Sequence, residues 1–271
     1  MNDKSASSPE RMLRILDLFN EDKLSWTPES IASQIQVSIP TAYRYLKILM
    51  EAGLLQKDLN QTYSLGARII TLDHLLRTGD KVLHHSLAHM RTLVERTGFD
   101  CVVSRLYGDK VIDTHKTASS SPMNLGYGRG RPRPLFKGAA PKVIMAHMPN
   151  PRLQKIFHDN TDAIKAAQLP QEWNAFKKYY QTIRKAGFYL SKGELEPGVC
   201  ALASPIWSQD GFILGAISVV TTLERMELLD IAKLQSLIIK TALEINSDIS
   251  QHEIAAPASI RLEPRVFTGA Q

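Results

Sequence analysis

The chain has 271 residues, 44% of them apolar, and carries a net charge of +6 with a pI near 9.2. That length and apolar share can supply two cores, while the lack of any run of about eighteen apolar residues argues against a membrane span. Two cysteines, Cys101 and Cys200, cannot build a disulfide framework.

The polar start, Met1 to Pro9, has no apolar signal region. With so few cysteines, a cytoplasmic location is expected. The basic excess is unevenly spread. Residues 1–66 hold seven Lys/Arg against eight Asp/Glu, and the remainder holds 26 against 19. Any nucleic-acid reading must therefore come from local arrangement, not from the pI.

Pro9 to Phe19 reads as a first helix, with Met12, Ile15, Leu16 and Phe19 as its apolar stripe. A short helix follows, with Pro28 near its start and Ile31, Ala32 and Ile35 on its apolar face. Only Gln36 and Val37 separate it from the next helix, which Ser38 caps, Pro40 enters and Gly53 ends. On that helix Ala42, Leu46, Leu49 and Met50 share one side. Thr41, Tyr43, Arg44 and Lys47 share the other; all four can donate hydrogen bonds and none is an acid. Leu54 to Lys57 and Thr62 to Leu65 read as strands around Asp58-Leu59-Asn60-Gln61.

Helix, turn, helix and hairpin in that order describe a winged helix-turn-helix whose second helix enters the major groove. The expected DNA contacts are Ser38, Thr41, Tyr43, Arg44 and Lys47, with Lys57 and Asn60 of the wing on the backbone. The competing reading is an ordinary amphipathic pair in a core; the short turn and acid-free outer side favour DNA.

Beyond the wing, Ile69, Ile70, Leu72, Leu75 and Leu76 mark a further helix, interrupted by Gly79-Asp80 and resumed from Lys81 to Arg96. So apolar a connection predicts dimerisation. Phe99 to Leu106 and Val111 to His115 form a hairpin about Tyr107-Gly108-Asp109-Lys110. A looser stretch, Thr117 to Leu135, precedes helices over Ala140 to His147, Arg152 to Asp159 and Glu172 to Ala186. Strands are expected over Phe188 to Leu190, Val199 to Trp207 and Phe212 to Thr221, then a long helix from Glu224 to Ile249. The division expected is a DNA-binding domain over 8–67, a linker helix over 68–80, a sensor-like domain over 81–250 and a disordered tail over 251–271. The fold class is α+β: a winged helix-turn-helix followed by a sheet with helices packed on it, an α/β or α+β domain.

The motifs Thr41-Ala42-Tyr43-Arg44-Tyr45-Leu46, Tyr63-Ser64-Leu65-Gly66, Arg133-Pro134-Leu135 leading to Lys142, and Glu194-Leu195-Glu196-Pro197-Gly198-Val199 occur in that order. With the strand pair Leu202 to Ile206 and Gly215 to Val219, the chain resembles the IclR family of bacterial transcriptional regulators over roughly Glu10 to Ser250. The resemblance implies a GAF-like effector domain, a homodimer or homotetramer, and repression or activation of a promoter under a small, often carboxylate-bearing metabolite. It places the effector-lining positions at Leu125, Arg133, Ala139, Ala140, Ser191, Val199, Ala201, Ser218 and Val220. The chain departs from the family at Pro141, where glycine is usual, at Phe136, where histidine is common, and at Ser191-Lys192-Gly193, which replaces an acidic run.

The residues themselves point the same way. Gly138 to Pro141 opens a helix whose free amides form an anion site. Residues 121–142 hold five bases (Arg129, Arg131, Arg133, Lys137, Lys142) and no acid. Arg133 is expected to fork onto the carboxylate of a small organic acid, aromatic in one version. Ser191, Ser218 and Thr221 would orient polar atoms, and Leu125, Val199 and Val220 would meet an apolar body.

Other chemistry is weaker. His85 and His89, four apart, lack further metal ligands nearby and read as a solvated helix face. Cys200 has no evident base and reads as a buried thiol. No cofactor is expected. The rival class is an enzyme acting on a small organic acid with an appended DNA-binding module; a ligand-free DNA-binding scaffold is the third reading.

Overall fold

The computed structural model describes residues 7–123 and 128–252. It divides between Asp80 and Lys81 into two compact units. Leu125 and nearly all of the expected tail lie outside the described residues.

The first unit begins with α1, Ser8–Arg14, opened by a reciprocal cap: Glu10 N–H donates to Ser7 Oγ and Ser7 N–H to Glu10 Oε2. The expected helix to Phe19 tightens instead into a 3₁₀ turn, Ile15–Leu18, and stops where Phe19 turns extended. Helix α2 spans Pro28–Gln34, capped by Thr27. Gln36 then takes a left-handed backbone, φ 54°, so that Val37 N–H reaches the Ala32 carbonyl at 3.0 Å. Helix α3, Ile39–Glu51, ends the same way: Gly53 at φ 70° lets Leu54 N–H reach the Leu49 carbonyl at 2.9 Å. Strands β1 (Leu55–Lys57) and β2 (Tyr63–Leu65) make the wing, and Trp26 pairs with Tyr63 beside it.

The core of this unit joins Ile15, Trp26, Ile31, Tyr45, Leu46, Leu49, Leu55 and Tyr63. Met50, expected inside, is exposed, and Tyr45 takes the buried place, its hydroxyl 2.6 Å from Ser8 Oγ. Helix α4, Arg68–Thr78, belongs to this unit and buries none of its residues. Arg68 ties its first turn to the end of α3 through the Ala52 carbonyl, at 2.9 Å.

The second unit starts with α5, Lys81–Thr97, and then lays down β3 (Asp100–Tyr107) and β4 (Lys110–Thr117), joined at Gly108-Asp109. A two-residue strand, β5 (Pro132–Arg133), follows, which no sequence signal announced. After it come α6 (Ala139–Ala146), α7 (Asn150–Asp159), α8 (Thr161–Ala166) and α9 (Trp173–Ala186). Strands β6 (Tyr189–Lys192), β7 (Val199–Trp207) and β8 (Ile213–Thr222) complete an antiparallel sheet in the order β5-β4-β3-β8-β7-β6. The expected final helix is broken into α10 (Leu223–Glu227) and α11 (Ile231–Gln251). Asp230 caps the second piece by accepting from Lys233 N–H, which outweighs the apolar periodicity and leaves Leu228 in solvent.

Helix α6 packs on β6, β7 and β8, while α11 packs on β7, β8 and α5. Every residue of α6 is buried. The edge strand β5 is held to β4 by charge as well as backbone. Arg133 donates through Nε to Asp113 Oδ2 at 2.9 Å and its Nη2 lies 2.5 Å from the same oxygen, while Ser104 Oγ donates to Oδ1 at 2.7 Å.

Removing one member of a buried pair strands the other charge. Arg133→Ala is therefore expected to cost about 3–5 kcal/mol in urea unfolding, and adding Asp113→Asn to recover much of that loss. A single variant as stable as the parent contradicts the pairing.

Candidate functional site

In the first unit, Ala42, Tyr45, Leu46 and Leu49 turn α3 inward. That leaves Tyr43, Arg44 and Lys47 side by side in solvent, with Thr41 half-buried at their edge. Ser38 stands at the N-cap position with an extended backbone. Its hydroxyl, however, lies 2.9 Å from Thr41 Oγ1 and does not take a backbone amide. The sequence reading of Ser38 as a side-chain cap is corrected to that extent: the neighbouring hydroxyl outcompetes the amide. Lys47 is 3.8 Å from Glu51, both well exposed, so this pair adds little and leaves the ammonium available. Lys57 and Asn60 are exposed on the wing. The turn between them is fixed by Asp58, which accepts from Thr62 N–H and Oγ1, both at 2.7 Å. Those two bonds hold the Asp58 carboxyl below its ordinary range.

In the second unit a cavity of about 40 Å³ opens between the start of α6 and the sheet. Arg133, Ala139 and Ala140 line one side; Ser191, Val199 and Ala201 come from β6 and β7; Ser218 and Val220 come from β8. These are all eight of the expected effector-lining positions that fall within the described residues. Strand register explains the grouping, since Ser191 lies opposite Ala201 and Ala201 opposite Val220. Thr221, one residue on, faces the other way and is fully buried with its hydroxyl unbonded among the described residues. Gly138, Pro141, Leu195 and Glu196 also line the cavity. Gly138 and Pro141 bound the helix opening expected to form an anion site, whereas Leu195 and Glu196 were quoted only within a motif and given no role.

Gly138 enters α6 at φ 88°, a conformation that favours glycine, and offers no side-chain cap. The amides of Ala139 and Ala140 therefore have no acceptor among the described residues, although both residues are buried against the cavity. Pro141 has no N–H to add.

The charges differ from the sequence expectation. Residues 121–142 contain no acid, but the fold brings two acids to them. Asp113 engages Arg133 as described, so this guanidinium is not an idle clamp. Glu194 sits 2.7 Å from Lys142 Nζ and accepts the Gly138 amide at 3.1 Å. Tyr189 donates to Glu194 at 2.6 Å and accepts from Lys142 Nζ and Tyr179 Oη, each at 3.1 Å. Burial and the Glu194 bond push the Tyr189 phenol far up, so it stays protonated. Arg129, another of the five bases, donates to the Thr114 carbonyl.

The histidines are not a solvated face. His85 lies 4.2 Å, ring to ring, from His252, and His89 is 2.8 Å from Asp248, both half-buried where α5 meets α11. No group of three metal-ligating side chains converges among the described residues. Both thiols are buried, and burial pushes their pKa values up, which disfavours the nucleophilic thiolate.

Residues 8–59 match the IclR helix-turn-helix domain, and residues 77–247 the C-terminal domain of bacterial transcriptional regulator IclR. The HTH-type transcriptional regulator XynR of Escherichia coli is 26% identical over 81% of this chain and 88% of its own. The crystal structure of an IclR transcriptional regulator from Alicyclobacillus acidocaldarius superposes with a TM-score of 0.72 at 21% identity, over 91% of this chain and 98% of that one. An IclR homologue from Microbacterium hydrocarbonoxydans, solved with 4-hydroxybenzoate, superposes with a TM-score of 0.73 at 18% identity, over 90% and 100%. The chain belongs to the IclR family of bacterial transcriptional regulators.

Proposed function

We propose that this regulator binds a pseudo-palindromic operator as a dimer or tetramer, and that a small organic acid in the cavity beneath α6 modulates the binding. Operator DNA makes the cytoplasm its place of work. The outer face of α3 supports the DNA contact: Tyr43, Arg44 and Lys47 are exposed and adjacent, with Ser38 and Thr41 at the helix start. Lys57 and Asn60 of the wing would meet the phosphate backbone. Self-association is supported by α4, where Ile70, Leu72, Leu75 and Leu76 are 74%, 44%, 60% and 54% exposed on one short helix.

The single observation that carries the effector reading is the pair of amides at the buried residues Ala139 and Ala140, which are unbonded among the described residues. Buried N–H groups need a partner, and at a helix N-terminus a carboxylate is the favoured one. Arg133 then shapes the wall and, with Asp113, keeps it electrically balanced, while the amides hold the acid. Val199, Ala201 and Val220 would contact its apolar body, and Ser191 and Ser218 its polar atoms. The 4-hydroxybenzoate with which the Microbacterium homologue was solved pairs a carboxylate with an aromatic body, the chemistry these groups would recognise. A cavity of about 40 Å³ holds roughly two or three waters. An aromatic acid must widen it, and that widening gives ligand affinity a conformational dependence. No reaction is required of the site; both thiols are buried, and burial raises their pKa values, which disfavours the thiolate.

Arg44→Ala is expected to lower operator affinity and flatten its preference over unrelated DNA, by about 1–3 kcal/mol for a lost base contact, with effector affinity unchanged. Undiminished discrimination in a gel shift counts against this docking of α3. In calorimetry against a panel of aromatic and keto acids, Ala139→Pro deletes one amide at a helix position that tolerates proline. It is expected to weaken the best ligand about tenfold or more with the melting temperature retained. Equal binding by both proteins would move the carboxylate elsewhere. Product formation from any panel member would favour the enzyme reading.

A further inference from the structure

We propose that the second unit carries another ligand site, a pocket for a hydrogenphosphate group, at the end of α6 remote from the effector cavity. The pocket measures about 170 Å³ and is lined by His147, Arg152, Arg184, Trp207 and Phe212 among others. Strand β7 separates the two sites: Val199 at its start lines the first cavity and Trp207 at its end lines this one. At the rise of an extended strand that is about 25 Å.

The polar groups here differ from those in the effector cavity. Two guanidiniums line the pocket and no carboxylate does, among the described residues. Arg152 is held in position by the Gly108 carbonyl and by Asp109 Oδ1, 3.1 Å from its Nη2. Asp109, itself largely exposed, fixes the guanidinium and offsets part of its charge, so the pocket's net positive charge comes from Arg184. Arg184, on the last turn of α9, has no acid partner among the described residues. Helix α7 begins at the pocket's edge with Pro149 as its cap residue and no side-chain cap, so its positive end adds to the field.

His147 decides which anion fits. It is 91% buried, and Nδ1 donates to the Val143 carbonyl at 2.8 Å. The ring proton is therefore on Nδ1, and Nε2 is left as an acceptor with no protein partner among the described residues. Burial lowers the pKa of this imidazole and so favours its neutral form, with Arg184 adding to the effect against the pull of the Val143 bond. An oxyanion with acceptors only, such as sulfate, would set its lone pairs against that of Nε2. A hydrogenphosphate group gives its P–OH proton to Nε2 as a hydrogen bond while its other oxygens accept from Arg152 and Arg184. The indole of Trp207, edge-on to His147 with ring centroids 4.7 Å apart, forms a flat apolar wall beside it.

The test is calorimetric titration of the full chain at pH about 6, where inorganic phosphate keeps a P–OH and roughly half of a phosphate monoester does. Inorganic phosphate is expected to bind saturably with Kd of about 1 mM or below, and sulfate at least about fivefold more weakly. Arg184→Ala, an exposed position that leaves the fold intact, is expected to weaken phosphate about tenfold, a loss typical of a charge-assisted bond. Ala139→Pro should bind phosphate like the parent, which separates this site from the effector cavity and its failure from failure of that reading. Glycerol 3-phosphate distinguishes the sources: tighter binding than inorganic phosphate assigns the pocket to a phosphate ester, weaker binding to the free ion. Absence of saturable binding, equal affinity for sulfate, or an unchanged Arg184→Ala each overturns the proposal.

Discussion

Two amides of buried residues, those of Ala139 and Ala140, meet no carbonyl among the described residues and set the terms for the second unit. A helix normally finds caps or water for its first N–H groups. Here Gly138 supplies no side chain, Pro141 supplies no donor, and Glu194 takes the Gly138 amide alone. The rest of α6 is enclosed by β6, β7, β8 and α9, so its N-terminus cannot turn outward to be solvated without breaking that packing. Cavity and helix are thus one feature: burying α6 against the sheet creates the unmet donors, and the strand register lines the space in front of them.

The ion pairs around the cavity follow from the same burial. Arg133 and Lys142 could not be enclosed unpaired, and each has an acid from another part of the chain, Asp113 and Glu194. The result is a wall with charges balanced in pairs and, in front of it, backbone donors that no side-chain change other than proline removes. In the first unit the division is simpler. One face of α3 is filled by Ala42, Tyr45, Leu46 and Leu49, which leaves the other face to present Tyr43, Arg44 and Lys47.

The sequence displays the first unit well because its signals are local. Pro28, Pro40 and Gly53 mark helix ends at the positions the structure uses, and the Gly108-Asp109 turn falls where the pairing of Tyr107 with Lys110 requires. The capping box of Ser7 and Glu10 was equally readable and would have placed the first helix start. Nonlocal effects were not legible. Counting bases over residues 121–142 gave a basic site, because Asp113 and Glu194 reach it only through the fold. Periodicity alone carried one helix across Leu228 to Asp230, where a local cap breaks it. The two-residue strand β5 has no pattern of its own; its pairing with Val111 and Ile112 defines it. The eight described positions that the resemblance named line one cavity, and free amides at the start of α6 were legible from Gly138 to Pro141; that those of Ala139 and Ala140 meet no acceptor among the described residues required the structure.

The central claim is that backbone amides, not the Arg133 side chain, hold the acid. Amide-resolved NMR of the full chain during titration with the tightest-binding aromatic acid tests it most directly. The account predicts that the N–H signals of Ala139 and Ala140 move downfield together and saturate with the ligand, while the Arg133 Nε–H signal stays near its unliganded position. A large shift at Arg133 Nε–H with both alanine amides unmoved would contradict it.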